Sequence, residues 1–546
     1  MLYEDLFFVI LELAMAVGLY ILAGYAVKAP SSKWKLCYAV PMVVMLGAIF
    51  IADFETCLLG AYFGAILLLM GFVKEEAKLR KRLSLIAGAS ILFSALLCNI
   101  PPGYRAVNYV AEFKRGFAEM KQHYVMTAHK EIYWDSLYKE YLPRFQEAYR
   151  NHDEVANYLA WNAFAQEFQD GHVTYYSAAD EALNQKALQQ LWGNDYGLSL
   201  MTLHNGQTVA VNVEADSEAA KAGIHNGTII TAWNGKAMEA AIREASETEA
   251  KVLNFAAKEN EAFYSALAVA GMGGDSVVIS CLDEAGQEQR VSLQKVGAYY
   301  ERMKETLETI DKGVEISNLA WQNIDEDTAL MRMRFMSYDA KANYEQMELE
   351  LRTKLLELKA AGVSNLIFDM RSNGGGSGSY VKHIVKLIAP EGEHVYAYDG
   401  VLNLETIQYE RGSEANTYRV GECETYQGED IWGHGQVILL VNAQTVSAGD
   451  HFTKLAAEFP NVTVMGFTHT NCSAQGVNQV SLEEGSLSYS AALLLNADGT
   501  VFIDTDSSRE ATVPLDVKIP FDEEAVRVLF DEGEDYVLQY AMEWLK

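Results

Sequence analysis

Four long apolar runs occupy the first 102 residues and limit the folds open to this 546-residue chain. The first, residues 6–27, is apolar over a length that crosses the roughly 30 Å hydrocarbon core of a bilayer. Three further runs lie at about residues 36–52, 56–73 and 84–100. A cleaved signal peptide has a basic start and one apolar core, whereas this chain begins with acidic residues and repeats the runs. We therefore expect four transmembrane helices over residues 1–102.

The loops between these runs differ in charge. Basic residues concentrate in the first and third loops, at 28–35 and 74–82, whereas the second loop carries Asp53 and Glu55. Because basic loops remain in the cytoplasm, this pattern places everything after residue 102 on the outer side. The sequence predicts a multi-pass cell-membrane protein that contacts the lipid bilayer through four spans and has an extracytoplasmic catalytic part.

Composition excludes several classes of protein. The chain has 43 Lys and Arg against 74 Asp and Glu, a net charge of −31, so phosphate repulsion argues against a nucleic-acid partner. A hydrophobic content of 50% excludes a disordered acidic chain. Six cysteines in a chain of this length do not indicate a disulfide framework. The length allows several domains.

Periodicity divides the part after residue 102. Aromatic and aliphatic residues recur at helical spacing over 104–190, and alternating valines at 209, 211 and 213 then indicate strands. From about residue 315, strands alternate with helices. A helix at 343–360 precedes the buried strand 366–368, and the apolar strand 437–441 is typical of a sheet covered on both faces.

Ser447 follows the strand at 437–441 directly and opens a helix. A serine at such a turn can act as a nucleophile, and the N–H of Ala448 can help to bind an oxyanion. The alternative is an ordinary helix N-cap, which is a common position for serine.

A glycine-rich loop at 369–376, Asp-Met-Arg-Ser-Asn-Gly-Gly-Gly, follows the other buried strand. The loop has no Gly-Lys-Ser/Thr and therefore is not a P-loop, and it fits a dinucleotide fingerprint poorly. Either a glycine N–H contributes to an oxyanion hole, or the loop is a turn without chemistry.

Two further segments carry candidate side chains. His172 lies in the stretch Gln-Asp-Gly-His-Val at 169–173, and Glu510 lies in Arg-Glu-Ala-Thr-Val-Pro at 509–514. Each residue taken alone reads as an ordinary histidine or an exposed acid.

The four segments occur in an order that resembles the tail-specific, or C-terminal processing, serine protease family. DGHV, LIFDMRSNGGGSGS, VNAQTVSAGD and REATVPLDV stand where the family has DGHT, DLRxNGGG, TxSAxE and ExxGxxPD. The resemblance covers about residues 104–530. It implies an α/β fold with a helical cap at 103–190, a PDZ-like β domain at 191–298 and a crotonase- or ClpP-like α/β peptidase core at 299–546. The four-helix transmembrane region expected at 1–102 from the apolar runs precedes these domains.

The resemblance also assigns roles within the site. One branch of the family uses a Ser–Lys dyad, but Cys472 occupies the lysine position here, so the chain is more similar to the Ser–His–Glu branch of the tricorn core protease. It implies Ser447 as nucleophile, His172 as general base and Glu510 as the residue that orients His172. Ala448 with Gly374 or Gly375 would form the oxyanion hole, and Asp450 would support the site. His451 is expected on the helix surface.

Within the PDZ-like stretch, Gly197, Leu198, Ser199 and Leu200 resemble the loop that captures a peptide's C-terminal carboxylate. An ordinary small β domain is the alternative.

These observations predict a membrane-anchored serine endopeptidase that cleaves proteins or peptides and recognises their C-terminal tails. No cofactor or metal is expected, because HExxH is absent and the histidines lack ligand spacing. The alternatives are a catalytically silent peptide- or ligand-binding module, as in interphotoreceptor retinoid-binding protein, and a transport role for the four spans.

Overall fold

The computed structural model describes residues 107–546 except 180, 249–254, 312–318, 338–343 and 415. Within that part, none of the helices combines the length and the apolarity that a bilayer crossing requires. The spans predicted at 1–102 lie outside the described residues. Two expectations are therefore corrected, the fold class with four membrane spans and the multi-pass cell-membrane localisation. The structure supports a mixed α/β chain and supports neither of these two expectations.

Residues 108–546 form one compact unit, and the domain boundaries expected within it at 190 and 298 stay predictions. The unit begins with helices that pack through aromatic rings. Phe113 stacks on Phe145 at a centroid distance of 4.4 Å, and the ring of Trp161 meets Phe145 at 4.8 Å. The aromatic residues recur every three to four positions, which places them on one helix face. The elements of this region are α1 (Tyr109–His123), α2 (Trp134–Asn151), α3 (Glu154–Gln166), β1 (Thr174–Ser177) and α4 (Glu181–Trp192).

The next region contains small antiparallel sheets. β-branched residues alternate here and Asn234-Gly235 makes a tight turn, since both have positive φ. Its elements are β2 (Asn194–Asp195), β3 (Ser199–Thr202), β4 (Thr208–Val211), α5 (Glu218–Lys221), β5 (Ile230–Trp233), β6 (Lys236–Ala237), α6 (Met238–Ser246), α7 (Lys258–Ala270), β7 (Ser276–Leu282), β8 (Glu288–Gln294), β9 (Gly297–Ala298) and α8 (Tyr300–Asp311). The strands β6, β5, β7 and β8 form a four-stranded sheet, and β3 pairs with β4 alone.

A six-stranded sheet in the order β10-β11-β12-β17-β18-β22 forms the centre of the last region. Five of its strands are parallel and β10 is antiparallel at one edge. Helices cover both faces, so the central strands are continuous apolar runs. The elements that build this layer are β10 (Leu319–Asn323), β11 (Thr328–Met333), α9 (Tyr344–Ala360), β12 (Asn365–Asp369), α10 (Gly378–Ile388), β17 (Gln436–Leu440), α11 (Ala448–Ala456), β18 (Val462–Gly466) and β22 (Val517–Lys518).

Smaller elements surround this sheet. They are β13 (Gly392–Gly400), β14 (Leu402–Asn403), β15 (Gln408–Tyr409), β16 (Val420–Gly428), β19 (Gly476–Leu482), β20 (Gly485–Ala492), β21 (Leu494–Leu495), α12 (Glu523–Val526), a π-helical turn (Arg527–Asp531) and α13 (Tyr536–Trp544). The sheet β1-β20-β19 matters most for the site, because it joins the N-terminal helical region to the C-terminal part. Thr174 of β1 pairs with Ser488 of β20, which brings the segment before β1 beside the C-terminal part of the chain.

Candidate active site

Ser447 and His172 line the same cavity, which has a volume of about 520 Å³. One comes from the start of α11 and the other from the turn that precedes β1. The remaining lining residues are Gly171, Tyr176, Gly374, Val446, Val477, Asn478, Gln479 and Ser488. The structure therefore brings together two of the three residues expected to form a catalytic triad.

Ser447 is held in a strained backbone conformation. Its φ of 62° and ψ of −119° lie outside the regions that residues with a side chain prefer. The strand β17 ends just before this turn and α11 begins immediately after it. A methyl group on Gly375 would lie only 2.5 Å from Ser447 Cβ, so only glycine fits beside the serine. Such a turn presents a serine side chain into a cavity above the end of a parallel sheet.

The carboxylate of Asp450 organises this turn. It accepts hydrogen bonds from the backbone N–H groups of Ser447 at 2.9 Å, Cys472 at 3.0 Å and Ser473 at 3.2 Å. Burial raises the pKa of Asp450 to about 7, while hydrogen bonds from Thr470, Cys472 and Ser473 oppose the shift. The side chain expected to support the site thus ties the nucleophile to the segment at 472–473.

His172 is buried, with 8% of its surface exposed. The backbone N–H of His172 donates to Asp170 Oδ1 at 2.9 Å, and the hydroxyl of Ser488 donates to the backbone carbonyl of His172 at 2.6 Å. Neither ring nitrogen has a hydrogen-bond partner among the described residues. Burial lowers the pKa of His172 below its usual value, against a smaller opposing effect of the Asp170 charge. The imidazole is therefore neutral at pH 7 and can accept a proton.

Glu510 is placed elsewhere. Its side chain is 71% exposed and forms an ion pair with Lys258 at 3.1 Å. The preceding residue, Arg509, pairs with Glu261 at 2.6 Å, so the turn is attached to α7. No hydrogen bond joins Glu510 to His172 in the described part of the chain, and the orienting role expected for Glu510 is not seen.

The expected oxyanion donors are also partly engaged. Gly374 N–H donates to the carbonyl of Arg334, and Gly375 N–H donates to Asn373 Oδ1, both at 2.9 Å. Ala448 is the first residue of α11, where an amide has no intrahelical acceptor. Of the three expected donors, Ala448 is the one that the geometry leaves best placed for an oxyanion.

His451 is buried rather than on the helix surface, so that expectation is wrong. Its Nε2 lies 2.8 Å from the carbonyl of Ala474 and must donate, and Nδ1 therefore accepts from the hydroxyl of Tyr396. Burial lowers the pKa of His451 to about 4. Both ring nitrogens have partners, which makes His451 a structural residue.

Two buried carboxylates near His172 were missed by the sequence reasoning. Asp170 Oδ2 accepts from the hydroxyls of Tyr124 at 3.0 Å and Ser490 at 2.9 Å. Asp504 Oδ2 accepts from Ala474 N–H at 2.9 Å, and burial together with the charge of Asp170 raises the pKa of Asp504 to about 7. Asp170 could have been predicted near the imidazole from its position two residues before His172, whereas no sequence pattern indicates Asp504.

The segment expected to bind peptide tails is closed. Residues Gly197, Leu198, Ser199 and Leu200 are all buried, and β3 packs against α7. Gly197 N–H donates at 2.8 Å to Asp195 Oδ1, and that carboxylate pairs with Arg302 at 2.7 Å. The backbone N–H of Gly197, expected to bind the carboxylate of a peptide tail, thus already binds a carboxylate of the chain itself.

No group of three or more potential metal ligands is found in the described ranges.

Comparison with known proteins adds the family. Residues 327–508 match the profile of Peptidase family S41. The match confirms the resemblance drawn from the sequence and identifies the core as a serine-type peptidase. No curated protein sequence shows significant similarity to the chain.

The comparison with solved structures gives one match with a TM-score above 0.5 among the three described here, and that match shows a similar fold. The structure of mature CPAF complexed with lactacystin is 11% identical, covers 80% of this chain and 97% of its own, and has a TM-score of 0.51. The photosystem II D1 C-terminal processing protease is 14% identical over 79% of this chain and 100% of its own, with a TM-score of 0.33. The tricorn protease is 16% identical over 80% of this chain and 36% of its own, with a TM-score of 0.31.

Proposed function

We propose that this chain, a serine-type peptidase with an S41 core, is an endopeptidase in which Ser447 is the nucleophile and His172 the general base. The observation that carries the proposal is the shared cavity of these two side chains. A strained serine at a strand-to-helix turn and a neutral, unpartnered imidazole are what nucleophilic acyl transfer needs.

The reaction then proceeds in two halves. His172 takes the proton of Ser447 Oγ as this oxygen bonds to the scissile carbonyl carbon, and the carbonyl oxygen becomes an anion. The N–H of Ala448 and the N-terminal end of α11 stabilise that anion. His172 gives the proton to the leaving amine as the peptide bond breaks. In the second half, His172 deprotonates a water that attacks the acyl-serine, and it returns the proton to Ser447 Oγ as the ester bond breaks and the acid is released.

The cavity wall indicates how a substrate binds. Residues 477–479 belong to β19, which is an edge strand of the sheet β1-β20-β19. An unpaired strand edge can pair with an extended peptide. Tyr176 and Val477 line the cavity with 55% and 52% of their surfaces exposed, so apolar substrate side chains are expected there. The substrate class is therefore an extended protein or peptide segment.

Recognition of C-terminal tails through residues 197–200 remains a prediction, and it requires two changes in the structure. Asp195 must release Gly197 N–H, and α7 must move away from β3, before a tail can bind. Cleavage of one peptide sequence with a free or an amidated C-terminus tests this. A preference for the free acid supports tail capture, and equal rates contradict it.

The catalytic proposal is tested by labelling the full chain with a fluorophosphonate probe, which reacts with activated serines. Ser447→Ala and His172→Ala are compared with wild type and with two controls outside the cavity, Ser265→Ala at a half-buried residue and His225→Ala at an exposed one. We expect labelling to be lost in the first two variants and retained in the controls. Labelling lost only in Ser447→Ala contradicts the role of His172. If the folded wild-type chain is not labelled, the result contradicts the proposed catalytic activity and favours the catalytically silent binding module.

A further inference from the structure

Two buried polar groups beside the cavity have no hydrogen-bond partner in the described residues. They are the ring nitrogens of His172 and the side-chain oxygen Oδ1 of Asn471. Each residue has 8% of its surface exposed. Leaving a buried polar atom unpaired costs roughly as much as a lost hydrogen bond, so a pair of such groups calls for an explanation.

The two groups belong to adjacent segments. A methyl group on Gly171, the neighbour of His172, would overlap Asn471 Oδ1. The Asn471 amide thus fills the space that a side chain at position 171 would occupy. Gly171 N–H also donates to Ser473 Oγ at 2.8 Å, which attaches the segment at 471–473 to the loop of the base.

The orientation of the Asn471 amide is set by the other side of the site. Its Nδ2 donates to the carbonyl of Ala443 at 3.1 Å, so the other terminal atom is the oxygen. Its backbone N–H donates to the carbonyl of Thr445 at 2.8 Å. Both acceptors lie on the segment that leads from β17 to Ser447. Asn471 therefore connects the segment of the nucleophile to the loop of the base.

We propose that Asn471 positions His172 by accepting, through Oδ1, the imidazole N–H that faces away from Ser447. The inference rests on the proposed Ser447–His172 pair and supplies the orienting partner that Glu510 does not. A neutral acceptor fixes the tautomer, so the nitrogen that faces Ser447 carries the lone pair. The hydrogen bond forms by a turn of the ring, because the glycine at 171 leaves Oδ1 next to the loop.

The nearby acids have other partners. Asp170 accepts from the backbone N–H of His172 and from two hydroxyls, and Asp504 accepts from Ala474. The charge that acts on His172 is that of Asp170, on its own loop. The other titratable group that interacts with His172 is His451, on α11, whose pKa of about 4 leaves it neutral. Asp504 Oδ1 also lacks a partner among the described residues, but Asn471 Oδ1 is the acceptor that lies directly against the loop of His172, at Gly171.

The test measures the rate constant of fluorophosphonate labelling from pH 5 to 9 in the full chain. The variants are Asn471→Ala and the isosteric Asn471→Asp. Asn461→Ala is the matched control, because Asn461 also donates from Nδ2 to backbone carbonyls but lies away from the cavity. Thermal unfolding of each variant accompanies the measurement.

We expect Asn471→Ala to label about 10- to 100-fold more slowly, the loss caused by a misplaced catalytic group. Asn471→Asp should restore much of the rate and move the acidic limb of the pH profile to higher pH. A carboxylate stabilises the imidazolium and thereby raises the pKa of His172. A purely structural asparagine would not move this limb. Asn461→Ala should match wild type.

A folded Asn471→Ala variant that is labelled at the wild-type rate overturns the proposal. An Asn471→Asp variant whose acidic limb lies at the same pH as that of wild type also overturns it. If Asn471→Ala does not fold, the Asn471→Asp profile alone decides. Failure of the Ser447–His172 pair itself is recognised separately, since His172→Ala would then label like wild type.

Discussion

The carboxylate of Asp450 accepts the backbone N–H of Ser447 at 2.9 Å. The same carboxylate binds the amides of Cys472 and Ser473, so one buried side chain holds both the strained turn and the segment that follows β18. A helical residue three positions after its N-cap is well placed to bind the N-cap amide. The turn conformation of Ser447 therefore depends on a residue of its own helix.

Replacing Asp450 by Asn should disturb this turn. An amide offers one acceptor oxygen in place of two, so its NH2 group faces an N–H donor. We expect Asp450→Asn to lower the free energy of unfolding by about 1–3 kcal/mol and to slow probe labelling. Urea unfolding and labelling measure the two effects. Asp498→Asn, which alters an exposed turn carboxylate that accepts from Thr500, is the control and should change neither. An active Asp450→Asn of wild-type stability would contradict the prediction.

The pH dependence of stability should depend in part on Asp504. Its pKa is about 7 in the folded chain, so the folded state holds a proton that the unfolded state releases near pH 4. The stabilising effect of this proton is present below pH 4 and is lost as the pH rises to 7. Between pH 5 and 8, wild type should lose roughly 1–4 kcal/mol more unfolding free energy than Asp504→Asn, which has no ionisable group. Urea unfolding at both pH values gives the difference.

Asp506 provides the matched comparison. The hydroxyl of Ser508 lowers the pKa of Asp506, which is therefore ionised in both states above pH 5. Asp506→Asn should keep the wild-type slope. Equal slopes in wild type and Asp504→Asn would contradict the assignment.

Removing the charge of Arg371 should be costly. Its guanidinium is buried and makes two bonds each to Asp369 and Asp535, at 2.7–2.8 Å. Arg371→Met leaves the two carboxylates with Arg332 as their remaining common partner, at 3.2 Å from Asp369 and 3.9 Å from Asp535. We expect a loss of about 3–5 kcal/mol in unfolding free energy. Arg527→Met removes an exposed arginine that pairs with Glu524 and should cost below about 1 kcal/mol. Chemical denaturation of the two variants side by side measures the contrast, and similar costs would refute it.

A methyl group at position 171 should displace the base. Gly171→Ala overlaps Asn471 Oδ1, and its Cβ would lie 3.2 Å from Ser473 Cβ, so the loop carrying His172 has to shift. A displacement of about 1 Å can lower the rate about 100-fold. Gly297→Ala is the control, because nothing lies within 4 Å of the added methyl. Probe labelling of the two variants is the measurement, and a wild-type rate in Gly171→Ala would show that the loop has room to spare.

Local sequence pattern was sufficient for the central sheet. The runs at 366–368 and 437–441 are continuous and apolar because helices cover both faces of a parallel sheet, and they correspond to β12 and β17. The helix that begins after Ser447 was also predictable, although residues 441–447 separate it from the end of β17. The pairing of Ser447 with His172 came from the family resemblance, because no local pattern encodes it.

Other features depend on contacts between distant parts of the chain. The ion pair of Glu510 with Lys258 joins residues 252 positions apart, so the motif around Glu510 could not reveal it. His451 lies one helical turn from Ser447 and is buried because Tyr396 and Ala474 pack on that side of α11. The engaged amide of Gly374 likewise reflects the carbonyl of Arg334, 40 positions earlier in the chain.

The hydrogen bond from Ser488 to the carbonyl of His172 joins residues 316 positions apart. A ribosome must therefore release nearly the whole chain before β20 can pair with β1 and hold the base in the cavity. Contacts of such long range also form late in folding, after the closure of a very large loop. A nascent chain that ends between residue 447 and β20 contains both the serine and the histidine but lacks the strand that holds the base. The topology thus makes the pairing of these two side chains depend on the synthesis of β20.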